Sequence, residues 1–402
     1  MTKYRSFISI VVMIAVLTTG LLPMTTVNAA SLNSIFSSLT GSKSSGIGLW
    51  DVLIGLFVGN VLNKVGSGAL GGGFSLPESG GSSSGKEVMG FYAEWWDTDT
   101  ASYNVMMKNT DTLKTVIPYW ATLKADGSLS DRGGNDHVKV VQAAIKHNIK
   151  TYLLVNNATE KGSGSPVHAL LSDSSARGNA IDNLEIYLKK YKLNGVNIDF
   201  ELVPPEDKDN LTIFMQELSA RLAPQGYTVS IDVFPKTAEN DDVSIAYDYA
   251  KLAKCVDKIV IMTYDNHAVW SGAGPIADAK WVEENLKYAL KYIPKNKLYL
   301  GIAGYGYDWS SKGVESLEYG PIMNLVKQFR ADVQWDEPSK TPWFTYEGAD
   351  GVTHTVWYEN KESLKYKLDL VNQYDIAGVA LWKLGEEDPG YWQVFKEKLG
   401  RR

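Results

Sequence analysis

Asn194-Gly195-Val196-Asn197-Ile198-Asp199-Phe200-Glu201 is the stretch whose reading decides the fold. In an extended strand the side chains alternate, so Asn197, Asp199 and Glu201 share one face and Val196, Ile198 and Phe200 the other. In a closed barrel the apolar set packs under a layer of helices and the polar set faces the lumen. Glu201 then ends the strand, at the rim where barrel enzymes hold their reactive groups. Three polar residues in succession facing a barrel interior are costly without a purpose. Two neighbouring carboxylates under partial burial push their pKa values apart, and the one kept protonated near neutral pH meets the requirement for a general acid. The same spacing also describes a solvated Asp/Glu pair on an edge strand, and spacing alone leaves both readings open.

The rest of the chain supports the barrel. From Val88 onward, short apolar runs alternate with segments of helical spacing, the pattern of a parallel sheet wrapped in helices. Eight strands are expected at Val88–Ala93, Thr115–Trp120, Thr151–Asn156, Gly195–Glu201, Thr228–Phe234, Lys258–Asp265, Leu298–Gly306 and Gly378–Leu384. Helices are expected at Val138–His147, Leu184–Tyr191, Leu211–Leu222, Trp281–Tyr292 and Leu364–Tyr374. Strand followed by helix throughout favours an α/β fold of the (β/α)₈ TIM-barrel type over an open doubly wound sheet. The connection before the last strand is too long for one helix. It holds a helix-like piece at Pro321–Phe329 and a hairpin signal, Trp343–Tyr346 and Val352–Tyr358 around Gly348–Gly351, which together predict a small α+β insertion over about 307–358.

Ahead of the barrel, Lys3 and Arg5 precede the apolar run Phe7–Leu22, Pro23 ends it, and Val27-Asn28-Ala29 fits a cleavage site. Residues 1–29 therefore read as an export signal, with a secreted, wall- or spore-associated product expected. Residues 30–86 are a Ser/Gly-rich linker. Within it the apolar segment 46–63 carries Asp51 and is short for a bilayer span. It reads either as a membrane or wall attachment or as a short helix packed on the barrel. Residues 87–402 form the folded domain, expected as a monomer.

Composition narrows the function. A net charge of −6 over 402 residues argues against a nucleic-acid partner. The single cysteine, Cys255, excludes an intramolecular disulfide and reads as a small buried hydrophobe. Five scattered histidines lack metal-ligand spacing, and the glycine clusters sit in the linker rather than after a strand, so no metal or cofactor is expected. Gly81-Ser82-Ser83-Ser84-Gly85 matches the nucleophile-elbow pattern but lacks its strand and helix. Twelve Trp and 22 Tyr hint at carbohydrate, since aromatic rings stack on sugar faces.

Asn194–Glu201 resembles the D-G-x-D-x-D-x-E signature of family 18 glycoside hydrolases, keeping its glycine, third aspartate and final glutamate. Met262-Thr263-Tyr264-Asp265 resembles that family's M-x-Y-D, Gly301–Gly306 its strand 7 segment, and Leu381-Trp382 its strand 8 tryptophan. The likeness covers about residues 88–402. The signature's first and second aspartates are Asn194 and Asn197, so the inner position cannot carry charge. The N-x-D-x-E form, the strand ending Leu154-Val155-Asn156-Asn157 and the ending Trp382-Lys383-Leu384-Gly385 resemble the spore-germination and cortex-lytic branch.

The resemblance implies substrate-assisted retaining hydrolysis of β-1,4 bonds next to N-acetylglucosamine. Glu201 would act as acid and then base, and Asp199 would orient the 2-acetamido group. Tyr264 would donate to the acetamido oxygen, Asp265 would bind a sugar hydroxyl, and Trp382 would floor the −1 sugar. Asn197 and Met262 complete the motif positions expected to bind substrate. Phe91 or Tyr92, Tyr119, Trp120, Asn156, Asn157 and Tyr305 are candidates for lining the groove, and Glu94, Trp95 and Trp96 for contacting the polymer. The expected substrate is peptidoglycan of the spore cortex or wall. A chitinase or endo-β-N-acetylglucosaminidase would use the same chemistry. A non-catalytic carbohydrate-binding barrel is the reading from another class, and such barrels typically lose the glutamate that is present here as Glu201.

Overall fold

A computed structural model describes residues 85–400 apart from 97, 133–136, 159–164, 240–242 and 350. The export signal, nearly all of the linker and the segment 46–63 lie outside the described residues. Eight parallel strands close a barrel: β1 (Glu87–Tyr92), β2 (Thr115–Leu123), β4 (Lys150–Asn157), β5 (Gly195–Asp199), β6 (Thr228–Val233), β7 (Lys258–Ile261), β8 (Leu298–Ala303) and β14 (Gly378–Trp382). β1 pairs with both β2 and β14, which completes the ring, and the short β3 (Leu129–Asp131) folds back antiparallel onto β2.

Alternation in β5 sets the two faces. Val196 and Ile198 are fully buried in the large core between strands and helices, while Asn197 turns into the lumen. The helix that follows this strand in the chain, α5 (Lys208–Leu222), buries Leu211, Phe214, Met215, Leu218 and Leu222. They recur at i, i+3, i+4, i+7 and i+11, so they form one stripe. Burying each large apolar side chain contributes roughly 1.5–3 kcal/mol, which secures the helix against the sheet. The other helices are α1 (Ala101–Lys108), α2 (His137–Lys146), α3 (Pro166–Ser172), α4 (Ser174–Tyr191), α6 (Tyr249–Cys255), α7 (Ala279–Ala289), α8 (Tyr319–Phe329), α9 (Lys361–Gln373) and α10 (Tyr391–Leu399). Asp173 caps α4 by accepting from the Ser175 and Ala176 amides, and Asn360 forms a capping box with Ser363 on α9. Cys255, expected as a small buried hydrophobe, is half-buried at the end of α6, where its thiol meets the Leu252 carbonyl.

The lumen is filled in layers. At the N-terminal end Glu87 accepts from Thr115, Tyr299 and Lys258, a polar plug that needs no solvent. Above it lie Met89, Phe91, Ile117, Tyr119, Tyr152, Leu154, Val260 and Ala380. The next layer toward the C-terminal end carries the carboxylates.

Several strands stop earlier than their sequence suggests, and at three of them this bears on the site. β5 ends at Asp199, so Glu201 stands two residues beyond it, and β7 ends at Ile261, ahead of Met262–Asp265. β8 ends at Ala303. After Gly304 the chain enters a second, antiparallel sheet of β9 (Tyr305–Ser310), β10 (Gly313–Glu318), β11 (Gln334–Asp336), β12 (Thr341–Glu347) and β13 (Thr353–Tyr358). Tyr305 and Gly306 thus belong to the insertion rather than to the barrel. A Cβ on Gly306 would lie 2.5 Å from both the Trp357 carbonyl oxygen and the Tyr358 Cβ, so the two strands can meet there only at a glycine. The side of this sheet away from the barrel packs on α8 through Ile322, Phe344, Val356 and Tyr358. The opposite side turns Tyr305 and Tyr307 toward the strand ends.

Candidate active site

Glu201 is placed by its neighbours' backbone contacts. Phe200 is fully buried, stacks on Phe214 of α5 at 5.5 Å, and accepts a 2.6 Å hydrogen bond from the Tyr247 hydroxyl at its carbonyl. Asn157, at the end of β4, grips the Glu201 backbone from both sides. Its Oδ1 accepts from the Glu201 amide at 2.8 Å, and its Nδ2 donates to the Glu201 carbonyl at 3.0 Å. Leu202 then turns with φ of +53°, a left-handed conformation costing of order 1–3 kcal/mol in a bulky residue. The surrounding packing therefore over-determines where Glu201 sits.

Four carboxylates gather here. Asp199, Glu201 and Asp265 keep partial solvent access, whereas Asp232 of β6 is closed off. Burial raises the pKa of Glu201 well above the usual glutamate range, and the charges of Asp199 and Asp265 add to the effect. Burial likewise raises Asp199, with the charge of Asp232 next in weight. Asp232 is raised by burial and by Glu201, against the pull of its hydrogen bond from Asn197. Asp265 is raised to about 6 by burial, while donation from the hydroxyls of Tyr305 (2.6 Å) and Tyr307 (3.0 Å) holds it down. Every charge that shifts Asp199, Glu201 and Asp232 is another carboxylate. Buried anions without a cation take up protons, so the cluster retains protons at pH values where free carboxylic acids have lost theirs. A glutamic acid held in this way can deliver a proton to a leaving oxygen.

Tyr264 packs edge-on against Tyr305, with ring centroids 6.4 Å apart. Burial and the four carboxylates keep its phenol protonated, hence a hydrogen-bond donor. A Cβ at residue 301 would come within 2.9 Å of the Tyr264 ring, so Gly301 on β8 makes the space for it. Trp382 ends β14 half-buried in the lumen, its ring 5.3 Å from that of Phe91. Met262 is 6% exposed just past β7. Asn156 lies beside Asp199 in register, accepts from Thr122 at 2.6 Å and donates to the Tyr119 hydroxyl at 2.6 Å.

The structure thus brings Asn156, Asn197, Asp199, Glu201, Met262, Tyr264, Asp265, Tyr305 and Trp382 to one end of the lumen. Tyr92 does not join them. It points into the helix-side core, edge-on to Trp120, with its hydroxyl donating to Glu94 at 2.6 Å, and Phe91 takes the lumen side. Trp120 also faces the helices, stacked on His137 of α2. Among the residues past β1, Trp95 is buried and Trp96 is 52% exposed.

Sequence reasoning missed Asp232, Tyr307 and Tyr247. For Asp232 a signal was available. The alternation of Thr228–Val233 places Ser230 and Asp232 on the lumen side as surely as it places Asn197 and Asp199. Tyr307 and Tyr247 lie in connections whose path the sequence does not specify.

Comparison with known proteins gives the family. Residues 87–387 match the profile described as Glycosyl hydrolases family 18. The chain is 33% identical over 307 residues to uncharacterized glycosylase YvbX of Bacillus subtilis (strain 168), covering 74% of this chain and 88% of that one. It is 30% identical over 301 residues to the cortical fragment-lytic enzyme of Bacillus anthracis, covering 71% of this chain and 68% of that one. The crystal structure of a chitinase from Chromobacterium violaceum superposes with a TM-score of 0.72 at 29% identity, covering 79% of this chain and all of that one. The chain belongs to family 18 of the glycosyl hydrolases and is a glycoside hydrolase built on a (β/α)₈ barrel.

Proposed function

We propose that this enzyme cleaves β-1,4 bonds next to N-acetylglucosamine in spore-cortex or wall peptidoglycan by substrate-assisted retention. The observation that carries the chemistry is Glu201, a carboxyl raised by burial and by like charge at the open end of the lumen, beside Asp199 and Tyr264. Glu201 protonates the glycosidic oxygen as the substrate's 2-acetamido oxygen attacks the anomeric carbon. Tyr264 donates to that acetamido oxygen, and Asp199 accepts from the acetamido N–H. Glu201, now ionised, takes a proton from the water that opens the cyclic intermediate. Asp265, held by Tyr305 and Tyr307, binds a sugar hydroxyl, and Trp382 lies under the ring.

Similarity to the cortical fragment-lytic enzyme favours peptidoglycan as substrate. The chitinase structure keeps chitin as the second reading, because both polymers present the same 2-acetamido sugar to the catalytic groups. We further propose export through residues 1–29, attachment to membrane or wall through 46–63, and action as a monomer. The charged start, apolar run and small-residue site of the leader support export.

The test compares wild type with Glu201→Gln on cortex peptidoglycan and, in parallel, chitin oligosaccharides, with products identified by mass. Fragments ending in reducing N-acetylglucosamine are expected from cortex. The variant should be slower by about 10²–10⁴-fold. Cleavage of chitin alone would overturn the substrate assignment and keep the mechanism. An active Glu201→Gln would overturn the role of Glu201.

A further inference from the structure

The proposed mechanism uses three of the four clustered carboxylates and leaves Asp232 without a task. Asp232 is also the deepest, 1% exposed on the lumen face of β6. Strands β5 and β6 pair in parallel with Asn197 beside Ser230 and Ile198 beside Ile231. One residue further on, the register sets Asp199 beside Asp232, both on the lumen face and about 4.8 Å apart in strand spacing. One layer below, the Asn197 amide is fixed at both ends. Its Nδ2 donates to Asp232 Oδ2 at 2.6 Å, and its Oδ1 accepts from the Ser230 hydroxyl at 2.7 Å.

What remains is a pair of bare oxygens. Asp199 Oδ1 and Asp232 Oδ1 are both buried, and neither has a hydrogen-bond partner. Two carboxylates on adjacent strands in that state repel each other, and their buried oxygens forgo solvation. One proton held between them removes both penalties. Position 197, where the family resemblance calls for a second acid, carries an amide that holds no proton of this kind. The acid stands one strand over.

We infer that Asp232 is the proton partner of Asp199, a positioning residue that replaces, from β6, the carboxylate absent at Asn197. The inference rests on the proposed roles of Glu201 and Asp199. In the resting site one proton is shared by the two aspartates. As Glu201 passes its proton to the leaving oxygen and the acetamido oxygen bonds to the anomeric carbon, positive charge develops on the acetamido group. The shared proton then resides on Asp232, and Asp199 is the ionised acceptor for the acetamido N–H. When water opens the ring and its proton goes to Glu201, the acetamido group is neutral again and the pair shares its proton as before. No proton enters or leaves the pair over the cycle.

The groups that face the pair suit this role. Asn197 and Ser230 approach from below, Glu201 and Tyr264 from above, and Tyr247 from the side of the β6–α6 connection. None is a cation that would make the shared proton unnecessary, and the one other carboxylate, Glu201, favours a proton kept on the pair when it is itself ionised. Burial raises both aspartates, with the charge of Asp232 adding at Asp199 and that of Glu201 adding at Asp232, in keeping with a proton retained by the pair.

The test uses the full chain and two near-isosteric variants, Asp232→Asn and the relocation Asn197→Asp/Asp232→Asn, with thermal unfolding followed for each. Asp232→Asn should lower kcat by about 10- to 100-fold with KM within about twofold, since the loss is of transition-state stabilisation. Its acid limb of kcat should move to higher pH, because the ionised Asp199 no longer has a neighbouring carboxyl to donate to it. The relocation should recover most of the kcat and return the limb. Wild-type kcat and acid limb in Asp232→Asn would overturn the inference, as would a loss that the relocated carboxylate leaves uncorrected. An independent readout is the carbon-13 titration of the aspartate carboxyls in the wild type. Asp199 and Asp232 should titrate as one coupled pair in two separated steps, and two ordinary, independent titrations would refute the pairing. Glu201→Gln is run beside these. Full activity in that variant would remove the mechanistic reading, whereas the carbon-13 titration still decides whether the aspartates share a proton.

Discussion

Asn157 shows how a residue that need not touch substrate can govern the chemistry. Its side chain makes both hydrogen bonds to the Glu201 backbone, at 2.8 and 3.0 Å, from the neighbouring strand. Asn157→Ala leaves that amide and carbonyl unpaired, a change of about 1–3 kcal/mol if it is felt in the transition state. The expected result is kcat lower by about 10- to 100-fold with KM nearly unchanged. A raised KM with unchanged kcat would instead place Asn157 in substrate binding. At this scale the sequence was legible wherever polarity marked a face. In Gly195–Asp199 only one side tolerates polar groups, so Asn197 and Asp199 declared the lumen. In Val88–Tyr92 both faces are apolar because both are buried, as parallel strands require, and this run alone did not give the phase between Phe91 and Tyr92. Asp232 was readable by the rule that found Asp199. It went unrecognised because it lies outside the strand that carries the signature.

At the scale of the element, α5 supports the segment that leaves β5. Phe214 stacks on Phe200, the residue between Asp199 and Glu201, so the helix buttresses the position of both carboxylates. Phe214→Ala should destabilise the fold by about 3–5 kcal/mol, measured by denaturant unfolding. It should also reduce kcat under conditions where the variant remains folded. Full kcat in the folded variant would show that the β5 end holds its geometry without the helix. The helices were legible from spacing, but their starts were not. α4 begins at Ser174 because Asp173 caps it, ten residues ahead of the apolar run that marks it in sequence. The break between β8 and β9 was also hidden. Gly301–Gly306 reads as one continuous strand, and only the pairing of β9 with β10 and β13 draws Tyr305 into the second sheet.

The whole molecule carries the cost of its carboxylate cluster. Asp265 has a folded pKa of about 6 against 3.8 for the free side chain. The folded state therefore binds more protons than the unfolded chain between those values, and stability falls as pH rises through that window. Below pH 3.8 the stabilising contribution is complete, and above about 6 it is gone, a span of at most ~3 kcal/mol. Asp265→Asn should consequently flatten the dependence, with Tm gaining more relative to wild type at pH 8 than at pH 4. An equal change in Tm at both pH values would contradict the raised pKa. Such a site trades stability for function, as reactive sites commonly do. The barrel and its insertion were legible from alternation and segment length. Closure of the ring through β1 with β2 and β14 rests on pairings far apart in the chain, and no local pattern reports them.

The central claim is that Glu201 acts as acid and base while the substrate supplies its own nucleophile. The stereochemistry of the first product tests it most directly. Proton NMR of an early time point, taken before mutarotation, should show the newly formed reducing N-acetylglucosamine as the β-anomer. The α-anomer appearing first would mean direct attack by water, and would contradict the account.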